Sequence, residues 1–187
     1  MKHDIRTRIL KERQSLTKTV KRRLDADLNN CLEETFDWLE INSPSKILAY
    51  HPHLENNEAD IIPFLDYLFE EGHEIYFVRV KDDHLETAKV TTLEDLEAGK
   101  FGIKEPKLII DANHHLDFNL ILVPGVVFSE DCHRIGYGKG FYDKLLANIR
   151  GLKLGIGYDF QVVPKIPQEK HDVQLDMVLT EKSIYRI

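Results

Sequence analysis

The run from Leu116 to Pro124 constrains this chain most, because it is almost continuously apolar. A strand with one face in water alternates apolar and polar residues. One that does not alternate is covered on both faces, as the inner strands of a parallel sheet are. Shorter runs of the same kind stand at Lys46–Tyr50, Ile75–Val78, Leu154–Ile156 and Met177–Thr180. Helical patterns lie between and before them. Lys2 to Leu39 is helical with Pro44 as its stop, and Thr17 caps a second helix that carries Val20, Leu24, Leu28, Leu32 and Phe36 at helical spacing. A helix is expected from about Asp60 to Glu71, ending at Gly72, and another from Phe141 to Ile149. Val90 to Ala98 reads as a short strand and helix, and Phe101-Gly102-Ile103 with Glu105-Pro106 as loop.

Strands alternating with helices imply an α/β fold, expected as a single three-layer α/β/α domain over residues 1–187 with a central, mostly parallel sheet. Ligands of such sheets sit beyond the carboxyl ends of the strands, so the segment after Pro124 is the place to look.

Composition narrows the function. A net charge of -7 argues against broad nucleic-acid binding, which needs a basic surface, and no aromatic RNA-binding pattern is present. No apolar run approaches the roughly 20 residues of a membrane helix. The segment Met1 to Arg6 has no signal-peptide core, and Cys31 and Cys132 match no metal or redox spacing. The expectation is a cytoplasmic monomer with neither nucleic acid nor membrane as partner.

After the apolar strand comes Val123-Pro124-Gly125-Val126-Val127-Phe128, and then Arg134-Ile135-Gly136-Tyr137-Gly138-Lys139-Gly140-Phe141-Tyr142-Asp143. Glycines at alternate positions let backbone N–H groups wrap an anion. Lys139 and Arg134 add a mobile and a planar positive charge for phosphate oxygens. The segment is neither of the two familiar phosphate loops. Lys139 is followed by Gly140 rather than Ser or Thr, and Phe141 stands where a dinucleotide fingerprint needs its third glycine.

The run from Val123 to Asp143 closely resembles the signature of the 5-formyltetrahydrofolate cyclo-ligase family. Further similar features follow in order: Lys2-x-x-x-Arg6, Glu55 after the first strand, Phe101-Gly102-Ile103-x-Glu105-Pro106, and His171-Asp172-x-x-Leu175-Asp176-x-Val178-x-Thr180-Glu181. The resemblance implies an α/β enzyme that uses ATP and Mg2+ to cyclise 5-formyltetrahydrofolate. It implies ATP contacts from Lys2, Arg6 and the run Arg134, Ile135, Gly136, Tyr137, Gly138, Lys139, Gly140, Phe141 and Tyr142, with Arg134 and Lys139 catalytic. Folate contacts are expected from His51, Glu55 and Tyr142, and magnesium at Asp143 and Asp176. The sequence departs from the family pattern at Glu58, where threonine is common, at Phe141, where tyrosine is common, and at His51-Pro52-His53, which replaces apolar residues. Asp172 receives no role, and His114-His115 and Cys132-His133 lack a ligand set. Two other readings are a sugar-phosphate isomerase or CoA-transferase relative that needs no ATP, and a folate- or nucleotide-binding regulator without catalysis.

Overall fold

A computed structural model of the chain describes residues 1–82, 84–99, 102–107 and 117–187. Phe101, His114, His115 and Leu116 lie outside the described residues. In chain order the elements are α1 (Lys2–Gln14), α2 (Lys18–Trp38), β1 (Lys46–Ala49), α3 (Ile62–Glu70), β2 (Glu74–Lys81), β3 (His84–Val90), β4 (Leu96–Ala98), β5 (Lys104–Pro106), β6 (Asp117–Pro124), β7 (Val127–Ser129), β8 (Arg134–Ile135), α4 (Phe141–Leu146), β9 (Arg150–Ile156), β10 (Val162–Val163), β11 (Met177–Leu179) and β12 (Ile184–Arg186).

The central sheet has seven strands in the order β12-β11-β9-β6-β1-β2-β3. The inner neighbours pair in parallel, and the two edge strands β12 and β3 pair antiparallel. The most apolar strand, β6, stands at the centre. Its alternate side chains enter two cores, as the period-two pleat requires. Leu120 and Leu122 join Ile47, Phe77 and Leu154 against α2 (Leu28, Leu32, Phe36) and α3 (Phe64, Leu65, Leu68). Ile121 and Val123 join Leu48, Tyr76 and Val178 on the opposite face, beneath Phe128, Cys132 and Leu146. The expected three-layer α/β arrangement is therefore present.

Local signals act where expected. Thr17 caps α2, its hydroxyl accepting from Val20 N–H at 3.3 Å. Gly72 ends the turn after α3 with φ +78, in the left-handed region. Buried Asn29 ties the two helices together, donating to the Asp60 carbonyl at 2.7 Å and accepting from Phe64 N–H at 3.0 Å.

Four expectations change. Val20, in the first turn of α2, is exposed rather than packed with Leu28, Leu32 and Phe36. The strand placed at Val90 begins at His84 and forms a long hairpin with β2, from Ile75 opposite Val90 to Lys81 opposite His84. Its charged residues hid it, as suits an edge strand that keeps one side toward water. Glu105-Pro106 is not loop but part of β5, paired with β4. Finally, α4 stops at Leu146 rather than Ile149, because Arg150 already belongs to β9.

A small sheet, β10-β7-β8, lies beyond the end of β6. Ile9 of α1 is buried against Val126, Val127 and Ile135 of that region. This docking carries the first turns of α1 to the carboxyl ends of the central strands. Among the described residues, no helix is long and apolar enough to cross a membrane.

Candidate active site

A cavity of about 700 Å³ opens where the parallel strands end, with Tyr50 after β1, Val78 and Val80 of β2 and Pro124 of β6 in its wall. The glycine-rich loop, α1 and the β5 segment complete it. It contains Lys2, Arg6, His51 and every residue from Arg134 to Asp143. Most of the sequence expectations thus converge on one place, from segments more than a hundred residues apart.

Arg134 is the most buried charged residue among them, at 6% exposed. One of its terminal nitrogens donates to Asp143 Oδ1 at 2.8 Å, and its guanidinium carbon lies 5.5 Å from the centre of the Tyr142 ring. Its Nε is buried without a hydrogen-bond partner. Burial pulls the Arg134 pKa down, with Asp143 opposing. An arginine starts so high that it remains a cation at neutral pH.

Three of the α1 cations, Lys2, Arg6 and Arg13, are also directed inward, whereas Arg8 and Lys11 are exposed. Arg6 Nε donates to the Gly136 carbonyl at 2.8 Å, and Lys2 Nζ reaches Asp172 at 2.6 Å and Glu169 at 3.5 Å. Arg13 is 1% exposed and donates to the Asn56 carbonyl at 3.0 Å and to the Tyr137 hydroxyl at 2.5 Å. Cations on a helix packed against the protein usually point away from it. Here they share the apolar side because carbonyl and carboxylate acceptors await them.

Two glycines of the loop need their freedom. Gly138 has φ +96 and Gly140 φ +68, both in the region that side chains avoid. A Cβ on Gly138 would lie 3.4 Å from the Arg6 guanidinium, so the helix packs closely over the loop. The following helix α4 has six residues, so its dipole adds little and the side-chain cations carry the positive charge.

Two sequence expectations do not meet in the cavity. Glu55 stands exposed on a single turn of 3-10 helix, Leu54–Asn56, and is absent from the cavity wall. Asn57 then takes a left-handed φ of 52, and the chain turns Glu58 inward instead. Glu58 is 7% exposed; its Oε2 accepts from His53 N–H at 2.7 Å and its Oε1 from the Tyr137 hydroxyl at 2.6 Å. Burial first, then Glu58, raises the Tyr137 pKa against the opposing pull of Arg13, which keeps the phenol neutral and donating. The signal for Glu58 was in the sequence, as an acid where the family pattern has threonine. Its orientation depended on the turn.

Asp176 is likewise absent from the cavity wall. It precedes β11, and its carboxylate accepts from Lys153 N–H at 2.7 Å. Lys153 pairs with Ile121, three residues before Pro124, which puts Asp176 roughly 10 Å below the strand ends. Asp143 and Asp176 therefore do not form one ligand set. Asp143 alone of the pair fits a hard cation carried by phosphates, which needs only one or two protein carboxylates. Asp172, Glu169 and His171 cluster at the cavity wall, with one ligand atom each within 4.8 Å of the others. The Lys2 ammonium already sits among them. For Asp172, burial works upward, but the bonds and charge of Lys2, the Glu169 N–H and His171 together lower its pKa. Besides Glu58, sequence reasoning also missed Glu105 and His53 as wall residues.

His51 is 8% exposed, and its Nδ1 lies 3.0 Å from the Pro52 carbonyl. Burial lowers its pKa, more than that carbonyl raises it, and burial lowers His73 as well. The unfolded chain therefore takes up protons first as pH falls through about 6.5, and stability present above that value is lost below it. Urea denaturation from pH 7.5 to 5.5 is expected to show this loss. Each histidine contributes at most about 1.4 kcal/mol per pH unit. His51→Gln is expected to flatten the slope; an unchanged slope would remove His51 from the account.

Fold and cavity place the chain in the class of open-sheet α/β proteins that take their ligands at the carboxyl ends of the strands. Within that class it belongs to the 5-formyltetrahydrofolate cyclo-ligase family, whose model matches residues 1–181. It is similar to a probable 5-formyltetrahydrofolate cyclo-ligase of Schizosaccharomyces pombe, 31% identical over 160 residues that cover 75% of this chain and 78% of the relative. The Mycoplasma genitalium 5-formyltetrahydrofolate cyclo-ligase is 28% identical over 184 residues, covering 95% of this chain and 96% of the relative. Among solved structures, the 5,10-methenyltetrahydrofolate synthetase of Aquifex aeolicus aligns with a TM-score of 0.82 and 30% identity, over 99% of this chain and 92% of that one. That of Mycoplasma pneumoniae aligns with a TM-score of 0.75 and 25% identity, over 97% and 99%. The chain is therefore an enzyme, a ligase of folate one-carbon metabolism.

Proposed function

We propose that the chain converts 5-formyltetrahydrofolate to 5,10-methenyltetrahydrofolate, coupled to conversion of ATP to ADP and phosphate. The observation that carries this reading is Arg134. A buried cation with an unmet Nε donor, in a cavity walled by the glycine loop, suits a phosphate group. The formyl oxygen is a poor leaving group. Transfer of the γ-phosphoryl group to that oxygen makes it a good one. The N10 nitrogen then attacks the activated carbon, the carbon–oxygen bond breaks, phosphate departs and N10 loses its proton.

Phosphoryl transfer asks the protein mainly for positioning and charge neutralisation. Arg134, held in place by Asp143 and Tyr142, supplies a fixed charge, and Lys139 supplies a mobile one. Arg6 and Lys2 extend the phosphate contacts from α1. His51 and Tyr142 contribute to the folate side, whereas Glu58 holds Tyr137 and the backbone of His53 in place at the wall. Magnesium would be held by Asp143 together with phosphate oxygens. Bound there, it would supply charge neutralisation for the phosphate oxygens.

The test is the absorbance of the methenyl product in purified protein given 5-formyltetrahydrofolate. It is expected to rise only with ATP and magnesium both present, with one ADP formed per product. Conversion without ATP would favour an isomerase- or transferase-like reaction. Binding of both ligands with no conversion would leave a regulator, and either result overturns the proposal.

A further inference from the structure

Glu105 is 7% exposed, lines the cavity, and keeps its Oε1 buried with no hydrogen-bond partner. Buried polar atoms are nearly always paired, so an orphan in a binding cavity points to a donor that a ligand brings. The other carboxylates of the wall are engaged. Glu58 accepts from His53 and Tyr137, Asp143 from Arg134, and Asp172 from Lys2 and from Glu169 N–H at 2.7 Å. Among the described residues, Glu105 is the wall carboxylate with a buried oxygen left unmatched.

Its position is also built in. Glu105 stands on β5 opposite Glu97 of β4, and Gly99, just after β4, lies close against its side chain. A Cβ on Gly99 would fall 2.4 Å from Glu105 Cδ, so the carboxyl group occupies space that only glycine leaves open.

We infer that Glu105 recognises the N–H donor edge of the reduced pterin ring, and this rests on the folate reading proposed above. The cavity's two orphans make opposite demands: Arg134 Nε is a donor and suits phosphate, whereas Glu105 Oε1 is an acceptor and repels it. The pterin ring offers a ring N–H and an exocyclic amino group side by side, which match the two oxygens of a carboxylate. The corresponding edge of adenine pairs its amino group with an acceptor nitrogen and does not match. Val78, Val80, Leu85 and Ile103 share the cavity wall and suit the ring faces.

The experiment is calorimetric titration of the full chain with 5-formyltetrahydrofolate and with an analogue whose 2-amino group is replaced by methyl. Mg-ATP titration serves as the control for folding. The wild type is expected to prefer the parent compound by about ten- to a hundredfold, as loss of a charge-assisted hydrogen bond gives. Glu105→Gln is expected to bind the parent weaker by a similar factor and to discriminate less than about threefold, with unchanged nucleotide affinity. Gly99→Ala, whose Cβ pushes the Glu105 carboxyl group aside, is expected to move discrimination the same way. Wild-type discrimination in either folded variant would overturn the role of Glu105 alone. Failure of the wild type to bind folate at all would overturn the folate reading, and this inference with it.

Discussion

Lys139→Ala is expected to lower kcat by roughly two to three orders of magnitude, the range for loss of one group that stabilises developing charge in a transition state. Lys139 is exposed on the loop between Gly138 and Gly140, both with positive φ. An ammonium on a long stem can follow the phosphoryl group as it moves, which a buried guanidinium cannot. An interaction made mainly in the transition state appears in kcat rather than in substrate affinity. Steady-state kinetics should therefore show the folate KM within a few-fold of wild type. A change confined to the folate KM would take Lys139 out of phosphoryl transfer.

Gly138→Val is expected to weaken ATP binding about a hundredfold or more while leaving most of the thermal stability. A β-branched residue at φ +96 is strained by about 1–3 kcal/mol. Its Cβ also meets the Arg6 guanidinium, whose Nε bond to the Gly136 carbonyl fixes the helix over the loop. Gly138 is not part of any of the three buried cores, so the sheet and its helices should survive. Calorimetric titration with Mg-ATP, paired with a melting curve, separates the two effects. Wild-type nucleotide affinity would reduce the loop to a connection between β8 and α4.

Much of the fold was legible because its signals are local. The apolar run ending at Pro124 specified a central strand whatever surrounded it, and Thr17 and Gly72 marked helix boundaries by capping chemistry alone. Among the elements that the sequence pattern did not mark, β12, most of β3 and β5 lie at sheet edges or in a two-stranded ribbon. Their pairing is decided by the neighbouring strand, and charged residues such as Glu86 and Lys89 on β3 mask the strand pattern.

The candidate site divides in the same way. Arg134, Gly136, Gly138, Lys139 and Gly140 are close in the chain, and Lys2, Arg6 and Arg13 share the apolar side of α1 by helical geometry. Their chemistry could be read from spacing. Which carboxylates join them could not. Glu55 and Glu58 are three residues apart, and the left-handed backbone at Asn57 selects the second. Asp143 and Asp176 look equivalent as ligands, yet the parallel register of β11 on β9 holds Asp176 well below the strand ends. Glu105 becomes prominent only when its burial and its unmatched oxygen are seen together. The sequence alone thus determined the α/β class, the glycine-rich loop and the family, because each is written in short local patterns that keep their order along the chain. Tertiary structure alone decided which acids face the cavity, because that depends on backbone turns and strand register set by packing far along the chain.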